Sequence, residues 1–414
     1  MSTITVQSIK DQTRNFQLLY LDSFLSTFPG IAATFAGAFA VRLGATNTWI
    51  ALMGSIPSLV IIIVSIPFGR ILQKTSRKLS WVMSGTTLFR FCFIFAALAP
   101  WIHNSFITPG IYFVLIWVLK EIPTQFYNIG NVGMMIELIP ENRRAAVFTN
   151  RNLIGSAVTI GGVFLAGQWL SRMPFPINYQ TVFIVAAVVG FFSLFTWLSM
   201  RFPPVVVKEN LVDRGKTSIM SLITELVRIF KERPVFTQFM INIILLNIGI
   251  WTVGPLYILY TVRQLQASDA WVGLWATTST ACSLIGWLLG RCMIEMWGDS
   301  VTLRRLVLLL GIYPIAVGMT SSLTLILIYG GIMNLFGPGY LLGVNNSFYK
   351  VLPIEHRDES VAIYNTVTSI GPSIFPLVGV AMAGYFGFSP TFIVCGILAV
   401  LGALSFWIWR IRIN

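Results

Sequence analysis

Apolar residues run along this chain in blocks of about 20 or more, the length that carries a helix across a bilayer. Short clusters holding charges, Pro or Gly separate them. The pattern predicts twelve helices, at 16–41, 47–69, 79–101, 108–138, 145–170, 180–202, 235–261, 269–292, 303–322, 324–351, 360–385 and 390–409. One connection is long. From Pro203 to Arg233 the chain is charged, and Ile219, Leu222, Ile223, Leu226, Val227 and Phe230 recur at helical spacing beside Arg228, Lys231 and Arg233. That spacing predicts an amphipathic helix lying on the cytoplasmic membrane surface. The chain thus divides into a six-helix part at 1–202, a linker at 203–233 and a second six-helix part at 234–414.

The basic residues alternate with the spans. With a cytoplasmic N-terminus, 23 of the 28 Lys and Arg fall on inside connections, while outside connections hold only Arg42, Arg172 and Arg263. The positive-inside rule therefore predicts that both termini are cytoplasmic. Met1 to Asn15 is polar, with Lys10 and Arg14, and no small-residue cleavage site follows it, so no signal peptide is expected.

Composition sharpens this. Hydrophobic residues make up 56% of the 414 and charged ones 10%, against about 25% charged in a soluble domain. The chain is an all-α membrane protein. The formal charge of +13 follows from topology and does not point to nucleic acid, which would need a basic face on a soluble domain. With two histidines, His103 and His356, no His-based triad or metal cluster can be assembled. Cys92, Cys282, Cys292 and Cys395 form no CxxC pair and read as free thiols. No GxxxxGK[ST] motif is present, so the chain does not hydrolyse ATP. Neither an enzyme nor a cofactor is expected.

The halves repeat. At an offset of 221, Val41-Arg42 matches Val262-Arg263 and Gly69-Arg70 matches Gly290-Arg291; at 213, Tyr127, Gly130 and Pro140 match Tyr340, Gly343 and Pro353. A six-plus-six repeat is a transporter architecture, with the substrate site near the bilayer midplane.

Four charges stand well inside spans: Asp22, Arg90, Lys120 and Glu121. Such charges are costly and face a partner or a cavity. Two readings stay open. Arg90 forms a bracing ion pair with Glu121 or Asp22, or Glu121, ahead of Asp22, binds a proton and is reset by Lys120 or Arg90. Asp22 lies about 9 Å from the centre of its helix, near enough to the cytoplasm to snorkel. On the fourth helix Glu121, Thr124, Gln125, Asn128 and Asn131 share a sector of about 120° bordered by Lys120, and Pro123 is expected to kink the helix. Asn150, Arg151 and Asn152 open the fifth helix and read as capping and headgroup contacts.

The loop after the second span reads Gly69-Arg70-Ile71-Leu72-Gln73-Lys74-Thr75-Ser76-Arg77-Lys78. With the repeat, it resembles the Gly-x-x-x-Asp-Arg-x-Gly-Arg-Arg loop of the major facilitator superfamily, with Gln73 in place of the acid and Ser76 in place of the second glycine. The resemblance covers essentially the whole chain. It implies two pseudo-symmetric six-helix bundles and alternating access. Gly69, Arg70, Lys74, Arg77, Lys78, Gly290, Arg291 and Asp299 would then belong to cytoplasmic gating loops, as latches or headgroup anchors. It also implies that the first, fourth, seventh and tenth helices line a central cavity. Thr124, Gln125, Tyr127, Asn128, Asn131, Asn247, Trp251, Asn334 and Asn345 would face substrate there, with Asn242 and Pro338 on the same helices. The fourth span lacks the drug-efflux Arg motif, and Gly371-Pro372 occurs only in the eleventh.

The expected function is secondary transport of a small molecule, as proton-coupled efflux of an amphipathic drug or metabolite. The alternatives are import of a metabolite or organic anion, a non-transporting membrane sensor on the same fold, and a lipid translocase, which a lateral opening lined by apolar residues would distinguish. The expected partners are substrate, membrane lipid and protons, in a monomer of the inner cell membrane that binds no nucleic acid.

Overall fold

In a computed structural model of the chain, the described residues are 9–74, 78–102, 107–202, 234–351 and 357–408. The predicted amphipathic linker helix lies outside them.

All twelve predicted spans are helical. The first is built from three consecutive helices, α1 (Ile9–Ser26), α2 (Phe28–Thr34) and α3 (Ala36–Arg42). Pro29 interrupts it, since a proline has no N–H to give the carbonyl four residues back. Gly44, at φ +80°, closes α3 in a conformation that disfavours any residue with a Cβ. Next come α4 (Asn47–Lys74) and α5 (Lys78–Ala97). The fourth span is α6 (Pro109–Leu119) and α7 (Glu121–Leu138), broken at Lys120. Pro123 leaves the Leu119 carbonyl without its helical donor, so the predicted kink falls in the turn before the proline. The first half ends with α8 (Glu141–Arg172) and α9 (Ile177–Ser199).

The seventh span begins as α10 (Pro234–Val253), breaks at Gly254-Pro255, and continues through α11 (Leu256–Ile258) into a π-helix at Leu259–Gln264. The remaining spans are α12 (Asp269–Trp297), α13 (Asp299–Gly318), α14 (Leu323–Val351), α15 (Arg357–Phe386) and α16 (Phe388–Ile408). Among the described residues, eleven helical segments are long and apolar enough to cross a membrane. The fourth span is not one of them, because Lys120, Glu121 and the polar stripe that follows lower its hydropathy.

The helices form two compact units, Met1–Met53 with Val60–Leu211 and Ser268–Thr277, and Gly54–Leu59 with Val212–Ala267 and Thr278–Asn414. In the first unit Leu19, Met134, Met135, Leu138 and Trp197 pack one core. Phe39, Phe113, Phe183 and Tyr179 pack a second, aromatic one, with Phe39 stacked on Tyr179 at 4.6 Å. The second unit is centred on Phe236, Phe239, Ile243, Val307 and Phe348. Lipid tails are as apolar as leucine, so helices in a bilayer associate through close packing of small residues. Gly290 of α12 lies against Gly339 of α14, where a Cβ at position 290 would come within 2.6 Å of the Gly339 Cα. Large apolar side chains point outward instead, Leu288 at 70% exposure and Leu165 at 68%, as suits a surface facing acyl chains.

Candidate functional site

Two side chains from other helices of the first unit close on Asp22. This carboxylate is 0% exposed. Arg151 Nη2 of α8 donates to its Oδ2 at 3.0 Å, and Trp197 Nε1 of α9 donates to its Oδ1 at 2.9 Å. The neighbouring turn adds Ser23 Oγ donating to the Arg151 carbonyl at 2.7 Å. One residue of α1 is thereby tied to both α8 and α9. Asp22 does not snorkel. Arg151, read from sequence as a cap or headgroup contact, is its counter-ion, and the expected Arg90–Asp22 pair is not formed.

Arg90 of α5 points at α9. It is 2% exposed, its Nη2 donates to Ser193 Oγ at 3.2 Å, and its Nε has no partner among the described residues. Gly190 makes the space: a Cβ there would sit 2.7 Å from that Nε. The expected Arg90–Glu121 pair is also absent, because Glu121 is taken by its neighbour Lys120. Adjacent residues on a continuous helix point about 100° apart. The break at Lys120 brings the two together, and the ammonium also lies 4.3 Å from the centre of the Trp117 ring. Within this unit Arg151 pairs with Asp22 and Lys120 with Glu121, which leaves the Arg90 guanidinium without a carboxylate partner among the described residues.

The predicted stripe on α7 is divided. Gln125 is buried, Asn128 is exposed, and Thr124, Tyr127 and Asn131 are half-buried. Thr124 Oγ1 donates to the Lys120 carbonyl at 2.7 Å, and Asn131 Nδ2 donates to the Tyr127 hydroxyl at 3.2 Å, leaving Asn131 Oδ1 without a partner.

In the second unit Asn247 and Asn334 each donate to the carbonyl four residues back, Ile243 and Gly330, at 2.8 Å. Trp251 lies over Phe375 at 6.4 Å between ring centres, and Gly371 packs against its indole. Asn242 is fully buried with neither amide atom partnered. Asn345 is half-buried, and it is its neighbour Asn346 that donates to Asp299 Oδ1, at 2.7 Å, while Lys350 Nζ sits 2.8 Å from Oδ2. Arg291 pairs with Glu295 along an exposed helix face. Of the first gating loop, Arg77 lies outside the described residues, as do the side chains at Gly69, Arg70, Lys74 and Lys78.

A further cluster escaped the sequence reading. Arg42 Nε and Nη2 reach Asp269 Oδ1 at 2.9 and 2.8 Å, and the Tyr179 hydroxyl donates to the same oxygen at 2.6 Å. All three belong to the first unit. Gly167 and Gly273 touch alongside, a Cβ on Gly167 falling 3.0 Å from the Gly273 Cα. Arg42 and Asp269 sit at span ends, where a charge attracts no notice. Only their meeting distinguishes them.

The family model described as Major Facilitator Superfamily matches residues 18–298 and 239–414. No curated protein matches the chain. Among solved structures, similarity extends to a bacterial homologue of the human lysosomal transporter Spinster, inward-facing and unoccupied, at 14% identity and TM-score 0.70 over 97% of both chains. It extends also to the nucleoside transporter NupG, at 11% identity and TM-score 0.66 over 95% of this chain and 98% of that one. The xylose transporter XylE from E. coli in an inward-open conformation aligns at 12% identity and TM-score 0.64 over 96% and 95%.

Proposed function

The chain belongs to the major facilitator superfamily of small-molecule secondary transporters, and on that footing we propose that it couples proton movement to transport of a small amphipathic molecule through Asp22. The direction we propose is export. Both termini are cytoplasmic in this reading, and transport proceeds by alternating access.

The observation that carries the reading is the isolation of Asp22: a carboxylate with no exposure, in a membrane span, held by one arginine and one indole from two other helices. An ionisable group kept there is a functional-site hypothesis by default. Protonating Asp22 removes the charge that holds Arg151, which loosens α1 from α8. Deprotonation restores the link. Transport and proton binding are thereby coupled through one helix contact. Glu121, paired with Lys120, is the alternative carboxylate. The aromatic wall at Trp251 and Phe375 suits an amphipathic substrate. Import of an organic anion is the second reading, favoured by the cation in excess at Arg90.

Proteoliposomes holding a trapped pH dye test this, with cationic, neutral and anionic compounds added in turn. A compound that drives proton flux in the parent protein and none in Asp22→Asn supports coupling through Asp22. Flux undiminished in that variant moves the proton site elsewhere, with Glu121→Gln as the next comparison.

A further inference from the structure

Between α8 and α9, floored by α1 and α2, the first unit carries an open groove of about 750 Å³. Phe24, Phe28 and Ile31 form the floor, with Leu165 and Val185 on the walls. Leu165 is 68% exposed and Val185 50%, so the groove opens on the apolar exterior. The α8 wall is thinned at Gly161, where an added Cβ would meet nothing within 4 Å. From Ala157 to Arg172 that wall is about 22 Å long at 1.5 Å per residue, longer than one leaflet of a hydrocarbon core of about 30 Å.

The polar groups gather at one end. There the apolar lining gives way to Gln168, Thr181 and Arg172, and Trp169 Nε1 donates to Thr181 Oγ1 at 2.7 Å. Arg172 has no carboxylate partner among the described residues. An apolar channel ending in one free cation and hydrogen-bonding groups has the chemistry of a chain with an anionic head, and the medium around it is lipid.

We propose that this groove is a binding site for an anionic phospholipid, with one acyl chain lying along Gly161 and Leu165 and the phosphate at Arg172. The site is separate from the polar core around Asp22, and it stands whether or not transport is proton-coupled.

The test is native mass spectrometry of the full chain taken from bilayers of equal parts phosphatidylglycerol and phosphatidylcholine. It is combined with cross-linking by a phosphatidylglycerol bearing a diazirine near one acyl terminus. Retention should favour phosphatidylglycerol, and the cross-link should fall on peptides containing Leu165 or Val185. Arg172→Gln should reduce that preference about fivefold, the weight of one interfacial arginine. Gly161→Trp, which fills the groove, should abolish the cross-link, and Leu288→Trp, on the exterior of the second unit, should keep it. If Gly161→Trp does not fold, Val185→Trp blocks the same groove from the facing wall. Equal retention of the two lipids by the parent, or a cross-link that survives a folded groove-filling variant, overturns the proposal.

Discussion

Arg42 closes on Asp269 with two nitrogens, Nε at 2.9 Å and Nη2 at 2.8 Å, both on the single oxygen that Tyr179 also holds at 2.6 Å. Three donors on one oxygen of a carboxylate that is 6% exposed fix the first turn of α12 against the end of α3 and the start of α9. Hydrogen bonds to charged groups contribute about 1.5–3 kcal/mol when buried. Arg42 is a third exposed, which places this pair toward the low end. Asp269→Asn should lower the melting temperature in detergent, by a loss of about 1–2 kcal/mol. Tyr179→Phe should cost about 1 kcal/mol. Melting curves for the parent, for each single variant and for the Tyr179→Phe/Asp269→Asn double variant measure the shared part. Simple additivity would mean that the hydroxyl acts independently of the carboxylate.

Removing Asp22 should harm the fold more than removing its pair together. Asp22→Ala strands Arg151 in a membrane-embedded core, and breaking a buried pair costs about 3–5 kcal/mol. The double variant Asp22→Asn/Arg151→Gln should recover a good part of that in thermal melts while remaining unable to couple protons. A double variant no more stable than the worse single would show that the two residues do not act as a pair.

Arg90 should be dispensable for folding and needed for transport. A buried charge with one hydroxyl partner adds little to stability, and apolar replacement of similar volume is often neutral or stabilising. Arg90→Met is expected to melt no lower than the parent while losing substrate-driven proton flux, since Arg90 stands within electrostatic range of Asp22. A variant that melts far lower would make Arg90 a structural brace.

Gly190→Leu should act on Arg90 from the other side. Its Cβ alone would come within 2.7 Å of the guanidinium, so the larger side chain must displace Arg90, at the roughly 1–3 kcal/mol typical of overpacking. Arg90→Ala in the same chain should relieve most of the strain, which a comparison of melts would detect.

Gly371→Leu should disturb Trp251 without touching any charge. The indole packs on Gly371, and a side chain there would tip it off Phe375. Tryptophan fluorescence should shift, and the apparent substrate affinity in the proteoliposome assay should weaken. Unchanged affinity would remove Trp251 from the substrate wall.

Twelve helices, the kink at Pro123 and the repeat between halves were legible from order alone, because bilayer thickness, a missing N–H group and side-chain hydropathy act on contiguous residues; the breaks near Pro29 and at Gly254-Pro255 were not read. The residues that would carry chemistry were legible only as individuals. Asp22, Arg90, Lys120 and Glu121 stand out because a charge inside a span is rare, whatever it touches. Their pairing was not readable. Arg151 looked like one more basic residue at a cytoplasmic helix end, and Trp197 like one more membrane tryptophan.

What the sequence determined by itself, then, is that this chain enters the membrane, where it does so, and that its first half holds charges which must be answered there. Tertiary structure alone decided which group answers which. Partner choice depends on how far each helix is rotated about its axis and on where a glycine such as Gly190 lets a side chain pass. The distances that result join residues as far apart in the chain as Asp22 and Trp197, or Arg42 and Asp269. No local pattern encodes them, because each depends on the packing of every helix between.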